Sequence, residues 1–385
     1  MKRGTIFPIL FFVISAVIVG ASALLTRLGP EPAPDPTPTP RPGPYDLTVA
    51  VHPLAFEWVS QAVEAFNADA PVVDDRPVRI VVVQAPDDML VWRDDRPWTV
   101  ADHPNAWIPA ASFSVTYAVE SALPFEFISA SVARTPLVWM GYASRVEAVT
   151  EADEAFNWAD VVQAAVVESW GAIDPQFSEF DFVNIAFPSP DDSVVGLGVL
   201  LSAGAAQTGS TRLSADQMRA SFHEYFQPVL NSWTAFIGTL EAYVARANTV
   251  HFAMGPEATF VMHLQDFLRN EPVRFGYPEQ ALMFDFPLVM WQDATTRPGE
   301  RAALEAFAAW LEEPSRQDSL AIYGLRTATA SLASGSTASG TSNVFEQAEP
   351  YGIDPGRTFD VVIDVALSSS DIRGLLSWFG QARPG

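Results

Sequence analysis

Between Val183 and Ala206 the chain reads VNIAFPSPDDSVVGLGVLLSAGAA, and this stretch limits the available folds more than any other. Val183 to Phe187 has the length and β-branched content of a buried strand, and Pro188 and Pro190 stop it from continuing. Asp191, Asp192 and Ser193 then supply three N-cap candidates. From Val194 to Ala206 the chain is apolar and free of proline, so a buried helix is expected. The first turn of such a helix presents unpaired backbone N–H groups and a partial positive charge, which together can hold an anionic or strongly polar ligand. The same three residues also serve as ordinary caps of a core helix. Gly196 and Gly198 leave room for a neighbouring element to approach closely.

The strand, polar turn and helix recur. Ala106 to Ile108 reads as a short strand, followed by Pro109 and the Ala111-Ser112 turn into a helix through Tyr117. Val250 to Met254 reads as another strand, and Gly255-Pro256-Glu257 turns into a helix from Ala258 to Leu268. Ser112 and Glu257 therefore occupy the place of Ser193, with capping or a solvated first-turn carboxylate as the alternative reading.

Elsewhere, DLTVAV at Asp46–Val51 reads as a strand ended by His52-Pro53. A helix carrying Ala55, Val59, Ala62, Val63 and Phe66 follows it. Val78–Val83 (VRIVVV) is continuous and β-branched, as in a parallel strand buried on both faces. Ala133–Met140 is a further buried strand candidate, and helices are expected over Trp158–Val167, Ser214–Phe226, Trp233–Ala247 and Arg301–Leu311. Ala281–Met290 is apolar apart from Asp285, whose burial demands a partner. Thr327–Asn343 is a low-complexity Ser/Thr/Ala/Gly loop, Asp354–Val365 holds a last extended run, and Ile372, Leu375, Leu376 and Phe379 mark a final helix docking on the first lobe.

Composition narrows the function classes. At 385 residues and 49% hydrophobic, the chain can build a large core, and two lobes are expected. Its formal net charge of -24, with Lys2 as the only lysine, repels nucleic acid and anionic headgroups, so neither is expected as a partner. Cysteine is absent, which excludes disulfides, a thiolate nucleophile, a Cys-type zinc site and a lipoprotein anchor. Lys2 and Arg3 precede an uncharged run from Ile6 to Leu25, so residues 1–28 read as a signal anchor, or as a cleaved signal peptide ending near Ala21-Ser22-Ala23. Residues 29–44 form a Pro-rich spacer, GPEPAPDPTPTPRPGP, and place the rest outside the membrane, tethered or secreted.

The five histidines form no HExxH or close pair, and no GxSxG, Walker A or dinucleotide fingerprint occurs. The paired acids Asp74/Asp75, Asp87/Asp88, Asp94/Asp95 and Asp191/Asp192 read as solvated loop charge. No enzyme activity, metal or cofactor is expected.

LTVAVHPLAFEWVSQAVEAFN, NAWIPAASF, SVARTPLVWM, PSPDDSVVGLGVLL, FDFPLVM and AFAAWLEEPSRQDSLAIYGLR, spread from Asp46 to about Arg383, together resemble bacterial extracellular solute-binding proteins of the type II periplasmic-binding-protein fold. Within that class the chain most resembles the substrate-binding-like domain that precedes von Willebrand factor A domains, and YGIDPGRTFDVVIDVALSSSDIRGLLSWF is similar to the linker of those proteins. The resemblance implies an α/β, two-lobed fold with two hinge crossovers. Lobe 1 would comprise 45–135 plus 286–385, and lobe 2 would comprise 136–285. It implies closure on a small polar solute, and a transporter permease of the ABC type or a cell-envelope partner for a monomer. The implied ligand-facing residues are His52, Pro53, Ser112, Asp192, Ser193, Glu257, Tyr277 and Asp285. Asp191 and Asp192 stand where such proteins often carry Thr or Ser, which disfavours an oxyanion and favours an amine, a peptide or a metal-bearing ligand. A cell-envelope interaction module without a small ligand is the second reading.

Overall fold

Strand β1 (Tyr45–Val51) ends at His52, and Pro53 opens the helix Pro53–Ala68 at a position whose N–H would have no helical partner. That helix buries Ala55, Trp58, Val59, Ala62, Val63 and Phe66, the stripe its spacing predicts. The structure is a computed structural model, and it describes residues 43–383 except 94–95, 151–154, 168, 237, 247–248 and 329–343. The expected leader, most of the Pro-rich spacer and nearly all of the low-complexity loop lie outside the described residues. Among the described residues no helix is long and apolar enough to cross a membrane.

In chain order the next strands are β2 (Val72–Val73), β3 (Arg76–Gln84), β4 (Ala106–Ile108) and β5 (Phe125–Ser129). The chain then moves to a second sheet with β6 (Thr135–Tyr142), β7 (Ile185–Ala186), β9 (Phe252–Pro256), β10 (Val273–Gly276) and β11 (Met283–Phe284), with β8 (Arg212–Leu213) lying outside it. It returns with β12 (Leu288–Trp291), and β13 (Asp364–Val365) comes late in the tail. The first sheet has the order β2-β3-β1-β4-β12-β5, with β3, β1 and β4 parallel and β12 antiparallel to both its neighbours. The second has the order β10-β6-β9-β7, β11 pairing with β6 beside it, while β13 and β8 form a separate parallel pair.

Two crossovers join the sheets, between β5 and β6 and between β11 and β12, and they bond to each other where Val132 N–H donates to the Phe286 carbonyl at 3.0 Å. Phe286 is a fully buried residue with φ 39°, a left-handed conformation held by its bonds to Val132 and to the Ala110 carbonyl. The chain also passes between the sheets in its tail. The helix Val344–Ala348 packs its Phe345 and Ala348 into the second sheet's satellite cluster. The closing helix Ser369–Ala382 reaches elements attached to both sheets.

Several sequence expectations are corrected. Strand β3 is buried on one face only: Val78 and Ile80 are inside, whereas Val81 and Val83 are 45% and 41% exposed. It lies next to the sheet edge, with only the two-residue β2 beyond it, so its outer face meets solvent. Of the helix expected over Trp233–Ala247 only Leu240–Val244 forms. Backbone bonds of Ile185 to Ser232 and Thr234 draw Trp233 alongside β7, and its ring stacks on Phe187 at 5.6 Å, so sheet pairing overrides the helical spacing. The strand expected over Val183–Phe187 shortens to Ile185–Ala186, and the helix expected over Ala258–Leu268 starts at Glu257 and breaks at His263. The final helix docks on the first lobe through Ser369 and Glu120, but its aromatic side turns to the second.

Candidate functional site

The junctions that follow β1, β3 and β7 are joined through His52, Asp87 and Val194. The helix Val194–Thr208 is buried along its length and begins as expected, with Ser193 Oγ accepting from the Val195 N–H at 3.2 Å. Its small residues let the preceding turn fold back, so that a Cβ at Gly196 would strike the Pro188 carbonyl. The Val194 N–H, one of the donors free at any helix start, is taken by Asp87 Oδ1 at 2.8 Å. Asp87 follows β3, and the same oxygen also caps the helical turn Asp88–Val91 by accepting from Met89 N–H at 3.0 Å. A carboxylate carried by the first sheet thus neutralises the positive end of a helix carried with the second.

His52 lies behind this bond. Its Nδ1 accepts from the Leu54 N–H at 3.3 Å and its Nε2 stands 3.8 Å from Asp87 Oδ2. Asp88 is completely buried, with Oδ2 accepting from the Ala110 N–H at 2.9 Å. Burial, reinforced by the Asp87 charge, pushes the Asp88 carboxyl up to about 7. Burial works to lower the His52 imidazole, but the Asp87 and Asp88 carboxylates outweigh it and hold its pKa above the ordinary value. The expectation that Asp87/Asp88 is solvated loop charge is therefore corrected. The usable signal was their place directly after a strand and Pro86, the same syntax that singled out Ser112 and Ser193.

The second group sits at the return crossover. Asp285 Oδ1 accepts from the Ser112 N–H at 2.8 Å, which meets the demand for a partner. Burial raises the Asp285 pKa against those Ser112 bonds. The N-cap of the helix Ser112–Glu120 is Ala111, without a side-chain bond, so Ser112 is the first helical residue and its donor serves Asp285. Beside this pair lies a cavity of about 430 Å³, lined by Ser112, Phe127, Asp285, Arg134 of the outgoing crossover and the tail residues Val362 and Asp364. Arg134 makes no ion pair among the described residues.

The remaining predicted residues are elsewhere. Asp192 is exposed, 3.7 Å from the Arg93 guanidinium, and Pro53 is an exposed first-turn residue of its helix. Glu257 and Tyr277 do meet, but in a cluster with Arg326, a residue the sequence reading did not single out. Arg326 donates from Nε to Glu257 Oε2 at 2.6 Å and from Nη2 to Oε1 at 2.8 Å, and the Tyr277 hydroxyl donates to the same Oε1. Glu257 and Arg326 are both fully buried, so this first-turn carboxylate is neither solvated nor capping. It is an ion-pair anchor, because a carboxylate at that depth needs a cation. Arg326 also donates to the carbonyls of Asp354 and Pro355 at 2.8 and 3.2 Å, fastening the tail.

No family model matches the chain, and no curated protein does. Solved structures do. A periplasmic thiamin-binding protein superposes with TM-score 0.58 at 11% identity, covering 88% of this chain and 96% of that one. The fold is that of the two-lobed solute-binding proteins. A Streptococcus pneumoniae solute-binding protein in complex with the blood group A-trisaccharide gives TM-score 0.57 at 10% identity, over 88% and 95% of the two chains. The cyclic alpha-maltosyl-1,6-maltose binding protein from Arthrobacter globiformis gives 0.56 at 12% identity, over 88% and 93%. The segments between β5 and β6 and between β11 and β12 join the two sheets, and Asp285 lies on the second of them.

Proposed function

We propose that this chain is an extracytoplasmic solute-binding protein that captures a small amine-bearing or zwitterionic solute, such as an amino acid or short peptide, between its lobes. The observation that carries this reading is the crossover cavity, where the half-buried Asp285 carboxylate and the Arg134 guanidinium, bonded to Ser131 Oγ but in no ion pair among the described residues, border one space of about 430 Å³. Arg134 would take a carboxylate, and Asp285 and Asp364 would take an ammonium. The Val194 helix start, which could have held an oxyanion, is already served by Asp87. Ligand contacts made only when the lobes close would shift the population toward the closed form.

In the same reading, lobe 1 comprises residues 45–135 and 286 onward and lobe 2 comprises residues 136–285. The leader tethers the protein, or is cleaved to release it, and delivery is to a transporter of the ABC type. A thermal-shift screen across amino acids, dipeptides, polyamines, sulfate and molybdate tests it. A ligand at a hundred times its Kd adds about 2.7 kcal/mol, and the shift should vanish in Asp285→Asn.

The tail favours a second reading. Val362 and Asp364 wall the cavity and the closing helix Ser369–Ala382 reaches both lobes, an arrangement suited to a cell-envelope interaction module that holds its lobes together without a ligand. The similarity of that tail to linkers preceding von Willebrand factor A domains belongs to this reading. Absence of a shift with every compound in the screen favours it.

A further inference from the structure

The helix Val194–Thr208 starts at Asp87 and ends about 20 Å away at 1.5 Å per residue, and at that far end lies another groove. Its volume is about 760 Å³, and it is lined by Trp158, Gln207, Tyr225, Tyr277, Gln280 and Arg357, with Glu279 at the rim. Gln280 is only 7% exposed, yet its side-chain amide bonds to none of the described residues. Gln207 Oε1 is buried without a partner, while its Nε2 is held by Ser221 Oγ. Arg357 Nε is likewise buried and unpartnered, and its guanidinium lies 4.5 Å over the Tyr277 ring.

Buried polar groups are normally paired, and two unpaired ones, with the free Gln280 amide beside them around one groove, are groups kept for a ligand. An amide that both gives and takes, an amide oxygen that takes and a guanidinium that gives match vicinal hydroxyls, each of which is at once donor and acceptor. The charges of Arg357 and Glu279 oppose each other, which suits an uncharged ligand, and the Tyr277 ring offers an apolar face. The volume falls within the range of about 300–1,000 Å³ usual for small-molecule sites. We propose that this groove is a second site, separate from the crossover cavity, for a neutral saccharide of one or two rings. Its rigidity comes from the Glu257–Arg326 pair, which fixes the Tyr277 hydroxyl and, through Asp354 and Pro355, the segment carrying Arg357.

The test is calorimetric titration of the full chain with maltose, cellobiose and N,N′-diacetylchitobiose, on the native protein and on Gln280→Leu, Arg357→Ala and Asp285→Asn. The expected result is binding of at least one disaccharide, weakened about tenfold by Gln280→Leu and by Arg357→Ala, the scale of one lost buried partner. Gln280→Leu should keep the native melting temperature, because the amide has no internal bond to lose. The proposal is overturned if none of the three sugars binds, if binding ignores both groove variants, or if it is lost only in Asp285→Asn. Failure here leaves the amine reading untouched, since that reading concerns the other cavity.

Discussion

Asp87 and Val194 are 107 positions apart, one following a strand of the first sheet and the other opening a helix that packs on the second, yet the Asp87 carboxylate accepts the Val194 N–H at 2.8 Å. This bond ties the turn after β3 to the helix Val194–Thr208 at the place where a helix start is most receptive to negative charge. Asp87→Ala removes it together with the cap on Met89, and loss of such a cap costs about 0.5–2 kcal/mol. Small-angle scattering should show a larger radius of gyration for the variant. An unchanged radius would mean the lobes are held by other contacts.

The charges behind that bond set a pH dependence. Asp88 ionises near 3.8 when unfolded and near 7 when folded, so between those values the native chain holds a proton that the unfolded chain has lost. Stability therefore falls as pH rises through that window. His52 acts in the same direction: its folded pKa is raised above 6.5, so its contribution is complete below that value and disappears as pH climbs through the folded one. Melting temperatures taken between about pH 5 and pH 8 should decline, and Asp88→Asn should flatten the decline. His251, pushed down to about 4 by burial, works the other way below pH 6.5, so equal slopes in native and Asp88→Asn chains, not the native slope alone, contradict the assignment.

Glu257 and Arg326 form a pair with no solvent contact, and removing one partner strands the other. Glu257→Gln should cost about 3–5 kcal/mol in urea unfolding, as breaking buried pairs generally does. It should also free the tail at Asp354 and Pro355, visible as faster proteolysis there. A loss below about 1 kcal/mol would show that Tyr277 alone satisfies the arginine.

The Trp378 ring lies parallel to His223 at 4.2 Å and edge-on to Phe222, while Phe379 packs on Trp233 at 5.2 Å. At the other end of the same helix, Ser369 N–H donates to Glu120 at 2.6 Å. Trp378→Ala should release the helix from the second lobe, seen as faster amide exchange over 369–382 with little change in β1 and β3. Equal protection in variant and native chains would refute a bridging role.

Local chemistry made part of the scaffold legible. Ser193, the proline turn and the glycines specified the buried helix and its close approach, and several strands followed from apolar runs, whereas the two crossovers came only from the family resemblance. Pairing across long stretches of chain was hidden. Arg326 meets Glu257 from 69 positions away, and Asp87 reaches Val194 across 107, so no window of sequence contains either relationship. Trp233 illustrates the opposite failure, where a helical spacing was present but sheet bonding to Ile185 decided the outcome.

The central claim is tested most directly by calorimetric titration of the full chain with amino acids, dipeptides and polyamines beside sulfate and molybdate. The account predicts saturable heat with an amine-bearing compound, and its loss in Asp285→Asn. Saturable binding of sulfate or molybdate that Asp285→Asn leaves intact would contradict it.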